Sequence, residues 1–311
     1  MKYFNSILVL ILLSFSISVL GQVPESYYST VEGKFGAELK TSLFHTIKAP
    51  KVISYAQLWE ALEKTDFLQN NTVWDIYSHN PSGETKYTYD FRTNRCGNFS
   101  KEGDCYSREH ILPRSWYKGT KLLKTDLFNV YPTDGYVNNR RSNLSYGEVG
   151  ITLWESSNGS RVGKNTFGDY SKTVFEPIDE YKGDMARAYF YMVTAYEDDL
   201  PEWNSDQVGS NKYPGFSDWS LELMLKWHHE DPVCLKEVRR NEEIYKIQGN
   251  RNPFIDYPVL VEHIWGVYKE IPFQTQNLLS SYLEIECSPF ERWLDQKRIL
   301  NQIKTYFKID K

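Results

Sequence analysis

The sequence is short of cysteine, of positive charge and of long apolar runs, and each shortage excludes something. Four cysteines among 311 residues, with no C-x-x-C pair and no Cys/His spacing, disfavour a structural zinc site. A formal net charge of −5 argues against bulk electrostatic attraction to nucleic acid, although a local basic site depends on where the charges sit. Beyond the N-terminal stretch nothing is apolar enough to span a bilayer, which takes about 20 apolar residues. No G-x-S-x-G, H-E-x-x-H or P-loop occurs, so the hydrolase, zincin and nucleotide-phosphatase readings that rest on those motifs lack their signatures. No internal repeat, linker or low-complexity segment divides the chain, and one α+β domain is the simplest architecture.

What is present begins with aromatics. They make up 15% of the chain, with 23 Tyr and 9 Trp, the composition of an ordered globular protein. The first residues carry one cation, Lys2, then an apolar run from Ile7 to Leu20 and the small residue Gly21. That pattern fits a cleaved secretory signal over 1–21, leaving a mature domain over 22–311 with no membrane partner. Cysteines of an exported protein pair more often than not. Cys96 and Cys105 bracket a short polar loop and are expected to be bridged, with Cys234 and Cys287 as a second candidate pair. Apolar periodicity predicts helices over 55–67, 182–197, 220–229, 233–248 and 259–265, and a basic-tending helix at the C-terminus. Residues 23–50 read as mixed and polar, Thr72–Tyr77 and Tyr87–Phe91 as a hairpin, and 150–175 as surface loop.

The chemistry concentrates between Arg108 and Asn143. Seven cations and three anions give this stretch a net +4, a basic footprint on an acidic protein. Glu109 and His110 are adjacent, so at a strand end they would point to opposite faces, one toward a metal and one toward a water. Histidine is the side chain best suited to take a proton near neutral pH. Glu109 and Asn138 offer oxygen, the donor that magnesium and calcium prefer. Thr133-Asp134-Gly135 supplies a helix cap and turn, which puts Asn138 near the second turn of a short helix and Arg141 on its face at i+3. An arginine there could bind a phosphate oxygen in a fork that lysine cannot copy.

Three runs together resemble the bacterial endonuclease I family: Cys105-Tyr-Ser-Arg-Glu109-His110-Ile-Leu-Pro113-Arg-Ser-Trp116, Asp126-Leu-Phe-Asn129-Val-Tyr-Pro132 and Asp134-Gly-Tyr-Val-Asn138-Asn-Arg-Arg141-Ser-Asn143. The likeness extends through Phe175–Tyr189 and Gln248–Phe254. The resemblance implies a secreted or periplasmic nuclease with a ββα-metal (His-Me finger) motif embedded in a mostly helical single domain. It implies His110 as the general base and Glu109 with Asn138 as ligands of one Mg²⁺, with Ca²⁺ or Mn²⁺ as substitutes. Some relatives carry a longer insertion after Glu-His that includes a phosphate-contacting arginine. The segment is short here, so Arg114, Arg140 and Arg141 are the candidates for that role. Some relatives also have a histidine where this chain has Phe128. Asn129, Asn143 and Asn250 are offered as substrate-binding carboxamides, and Arg187 as a brace for the metal helix.

The expectation is an exported, monomeric, Mg²⁺-dependent endonuclease. The resemblance implies cutting of DNA, and often of RNA, with little sequence preference and 5′-phosphate products; non-specific cutting fits contacts made to backbone rather than to base edges. Two rivals are a silent nucleic-acid-binding protein on the same scaffold and a phosphodiesterase of small nucleotides.

Overall fold

The computed structural model describes residues 23–275 except 25, 49, 69 and 118–120. The expected signal over 1–21, Lys118, Cys287 and the C-terminal helix lie outside the described residues. Along the chain come α1 (Gly36–Ile47), α2 (Leu58–Thr65), β1 (Tyr106–His110), α3 (Lys121–Thr125), β2 (Val130–Asp134) and α4 (Gly135–Arg141). Four strands follow: β3 (Ser145–Tyr146), β4 (Val149–Glu155), β5 (Arg161–Asn165) and β6 (Thr173–Glu176). The rest is helical, with α5 (Lys182–Ala195), α6 (Asp218–Glu230), α7 (Leu235–Gln248), α8 (Pro253–Asp256) and α9 (Leu260–Ile264). The class is α+β.

Helix α5 sits at the centre, packed by α1, α6 and α8. All of its residues are buried, not only the stripe that the periodicity marks. A helix buried all round must satisfy its polar side chains internally. Lys182 meets Glu176 at 2.8 Å, Asp184 meets Lys236 at 2.9 Å, and Arg187 grips both Glu237 oxygens at 2.6 and 2.8 Å. Arg187 therefore fastens α5 to α7, and not to the helix that carries Asn138. Helix α7 ends where expected, at Gly249, whose φ of +81° suits the left-handed cap that glycine adopts without a Cβ clash.

Strands β1 and β2 pair antiparallel, with Glu109 opposite Tyr131 and His110 opposite Val130. A second sheet has the order β3-β6-β5-β4, parallel between β3 and β6 and antiparallel elsewhere. Three of its strands fall in the stretch expected to be loop. The hairpin expected from 72–77 and 87–91 is not formed as strands; the two runs meet through one bond, Val73 N–H to the Tyr89 carbonyl at 2.8 Å. Helix α1 occupies part of the segment read as merely polar. Among the described residues no helix is long and apolar enough to cross a membrane.

Candidate active site

Strand β1 divides the site, because alternate side chains leave a strand on opposite faces. Ser107 and Glu109 point toward α4, while Tyr106, Arg108 and His110 point toward the chain at Tyr55–Trp59. On the first face Asn138 donates its amide N–H to Ser107 Oγ at 2.9 Å, and Arg141 Nη1 donates to Glu109 Oε1 at 2.6 Å. Two helix positions one turn apart thus grip two strand positions one pleat apart. Arg141 also donates to the carbonyls of His110 at 2.9 Å and Ile111 at 2.6 Å, fixing the strand end. Tyr77 hydroxyl adds a 3.2 Å bond to Glu109 Oε1.

The start of α4 is fixed by Asp134. Its Oδ1 accepts from the backbone N–H of Tyr136 and Val137 at 2.7 and 2.9 Å, the N-cap arrangement. Its Oδ2 accepts from the hydroxyls of Tyr89 and Tyr87 at 2.6 and 3.0 Å. Gly135 lies against the expected Cys96–Cys105 disulfide, which is formed; a Cβ there would stand 2.5 Å from Cys96 Sγ. Cys234 is buried at the head of α7.

Burial pushes the Glu109 carboxyl up to about 6, and the Arg141 charge offsets only part of that cost. Neither Glu109 Oε2 nor Asn138 Oδ1 takes part in the hydrogen bonds of the described residues, whereas Oε1 and Nδ2 are committed. One carboxylate oxygen and one carboxamide oxygen are hard donors that suit Mg²⁺, Ca²⁺ or Mn²⁺. Among the described residues no three His, Cys, Asp or Glu side chains converge, so a cation here would keep several waters.

On the second face His110 Nε2 stands 3.0 Å from the Lys124 carbonyl. A carbonyl can only accept, so Nε2 carries the proton and the lone pair is on Nδ1. Burial holds the imidazole down at about 4; the Lys124 bond opposes this, and the charges of Arg114, Arg108 and Lys124 reinforce it. The ring is neutral at neutral pH. Tyr55 stacks beside it, centroids 6.3 Å apart and planes 11° from parallel.

The loop between β1 and β2 is braced by Asp126 and Asn129, whose roles the motif alone does not reveal. Asp126 accepts from Tyr196 and Tyr191 hydroxyls at 2.7 and 2.8 Å and from Gln248 Nε2 at 3.0 Å. Asn129 is 0% exposed; it accepts from Leu112 N–H at 2.8 Å and donates to the Leu123 carbonyl at 3.2 Å. These bonds hold the chain that presents the Lys124 carbonyl to His110.

Several expectations are therefore corrected. Asn129 spends its amide on backbone, not substrate. Asn250 is likewise buried, donating to the Ile47 carbonyl at 2.8 Å and the Tyr191 hydroxyl at 2.7 Å. Arg141, a phosphate candidate, is 1% exposed with its Nη donors committed. Arg140 is exposed but turns to Tyr136, whose hydroxyl accepts at 2.9 Å, and to Trp154. Asn143 is exposed on the turn after α4. Arg114 is exposed and near enough to His110 to act on its charge. Missing from the sequence reading were Tyr55, Trp59 and Tyr77, which lie far from the motif. Period-two spacing would have put Arg108 on the His110 face.

The endonuclease I model matches residues 35–259. The chain belongs to the endonuclease I family. An extracellular ribonuclease of Bacillus amyloliquefaciens is 35% identical over 249 residues, 78% of each chain. An extracellular ribonuclease of Bacillus subtilis (strain 168) is 34% identical over 247 residues, again 78% of each. An extracellular deoxyribonuclease of Aeromonas hydrophila is 29% identical over 167 residues, 48% of this chain and 64% of that one. The protein is a nuclease of a family whose members generally depend on a metal.

Proposed function

We propose that this endonuclease I relative is exported and cuts both RNA and DNA with little sequence preference, using Mg²⁺ and leaving 5′-phosphates. In this reading β1, β2 and α4 form a ββα-metal finger. Glu109 and Asn138 hold the cation, and His110 is the base. The observation that carries it is the division of β1: oxygen donors lie on one face and an unprotonated Nδ1 on the other, one residue apart. When bound, the cation supplies Lewis-acid stabilisation of the charge that builds on the phosphate and the leaving 3′-oxygen.

The chain's own residues do the rest. His110 Nδ1 takes a proton from water as the water oxygen bonds to phosphorus and the bond to the 3′-oxygen breaks. The Lys124 carbonyl holds the tautomer through that step and stabilises the imidazolium that forms. Arg141 and Tyr77 orient Glu109. Arg114 offers exposed charge beside the base, the position for a phosphate oxygen. RNA is included because the two relatives matched over 78% of this chain are named ribonucleases, while DNA is supported by the deoxyribonuclease.

The test incubates RNA and supercoiled plasmid separately with the chain in Mg²⁺ and in EDTA. Both should be cut in Mg²⁺ only, and His110→Ala should slow cutting by about 10²–10⁴-fold. Intact substrates at high protein, or equal cutting by His110→Ala, would remove the reading.

A further inference from the structure

Most buried arginines of this fold are paired with acid. The side chains of Arg141, Arg187, Arg240 and Arg251 are at most 1% exposed, and each meets a carboxylate. On the His110 face of β1 the cations are held differently. Arg95 lies over the Trp59 ring at 5.4 Å. Arg108 lies between Trp59 at 4.1 Å and Tyr55 at 3.7 Å, with Nη1 donating to the Tyr55 carbonyl at 2.6 Å. Lys124 lies over Tyr55 at 4.5 Å. All three are half-buried, and among the described residues none of them is in an ion pair.

The distinction has a physical consequence. An aromatic face holds a cation through its quadrupole and leaves the full charge in place, whereas a carboxylate cancels it. Aromatic holding therefore fixes cations in position and keeps them available to an anion. Their order is also set by the strand. Tyr106, Arg108 and His110 repeat at roughly 7 Å on one face of β1, and Arg95 bridges beside Tyr106. Contacts run without a gap from Arg95 through Trp59, Arg108 and Tyr55 to Lys124 and His110.

We propose that Arg95, Arg108 and Lys124, held on Trp59 and Tyr55, form a rail for successive phosphates of the strand flanking the cleaved bond. The ligand is then a polynucleotide gripped at several phosphates, not a lone nucleotide. The proposal rests on the nuclease reading only in taking His110 as the reacting end. Because the rail touches backbone alone, it adds affinity without sequence preference.

The test is the salt dependence of binding, measured on the full chain carrying His110→Ala in Mg²⁺ with a labelled single-stranded oligoribonucleotide. The logarithm of affinity falls with that of salt by about 0.7 per phosphate neutralised on a single strand. Arg95→Gln with Lys124→Gln should reduce the slope by about 1.4 and weaken binding about tenfold or more at roughly 50 mM salt. Lys172→Gln, whose ammonium is paired with Asp206 at 2.7 Å, should leave the slope alone. Tyr55→Leu should weaken binding with the slope kept, and Tyr55→Phe should restore it. An unchanged slope in the double variant, with the wild-type melting temperature, would overturn the rail, as would an equal loss in Lys172→Gln. A wild-type chain that cuts neither RNA nor DNA would remove the nuclease reading and leave the slope to judge the rail.

Discussion

Two sets of cations share this molecule, and their partners separate them. In the interior, Arg141, Arg187, Arg240 and Arg251 are neutralised by Glu109, Glu237, Asp66 and Asp256. At the rim of His110, Arg95, Arg108 and Lys124 are held by rings and Arg114 stands exposed. A buried charge without a counter-charge is costly, so the interior must pair its cations. A rim cation that meets phosphate must not be paired. Here the partner of a basic residue, more than its place in a motif, tells structure from binding.

The largest effect should come from breaking the interior half of the contrast. Arg141→Ala would leave Glu109 buried without its counter-charge and free the His110 and Ile111 carbonyls. It should cost about 3–5 kcal/mol in urea unfolding and abolish cutting. Arg141→Lys should recover part of the stability but not all three contacts. Wild-type stability in Arg141→Ala would undo the claim that this arginine braces.

A second probe sharpens how the interior handles charge. Burial drives the His79 imidazole down to about 4, while its Nδ1 bonds the Tyr181 hydroxyl at 2.7 Å. The unfolded chain takes up this proton near pH 6.5, and the folded chain resists until about 4. Stability from this group is thus whole above pH 6.5 and is lost as pH falls through that window, by about 3 kcal/mol in total. His79→Gln should remove this share of the pH dependence of unfolding free energy between those values, making the curve shallower than that of the wild type. Parallel curves for variant and wild type would contradict it.

The rim should answer differently. Arg114→Gln should leave the melting temperature unchanged and slow polynucleotide cutting by about tenfold, as expected for one charged hydrogen bond to phosphate. Loss of stability without loss of rate would reverse its assignment.

Much of this was legible in the sequence, and the failures share a cause. The helices α5, α6 and α7 show their 3.6-residue period. Cys96 and Cys105 are near enough to pair on loop length, and Asp134 announces the cap of α4. The pairing of β4, β5 and β6 was missed although Val149, Ile151 and Leu153 alternate with Gly150 and Thr152 along β4. The flanking Gly, Ser and Asn residues read as loop, and Ile151 and Leu153 stand exposed rather than in a core. The run Thr72–Tyr77 looked like strand by composition, yet Asp75 instead turns it, its Oδ1 accepting from Tyr77 N–H at 2.7 Å. Asn129 and Asn250 read as substrate amides because a sequence does not show the backbone groups they satisfy. Tyr55 and Trp59 escaped because they reach β1 across about fifty residues of chain, a contact that only the fold creates.

The central claim is that β1 separates cation binding from proton transfer, and an Mg²⁺ titration of RNA cleavage tests it directly. Glu109→Gln and Asn138→Ala should raise the Mg²⁺ concentration for half-maximal rate by about 10-fold or more, the first by removing the ligand's negative charge and the second by removing the donor oxygen. His110→Ala should lower the maximal rate and leave that concentration unchanged. If His110→Ala shifts the Mg²⁺ requirement as far as Glu109→Gln does, the two faces are not separate and the account fails.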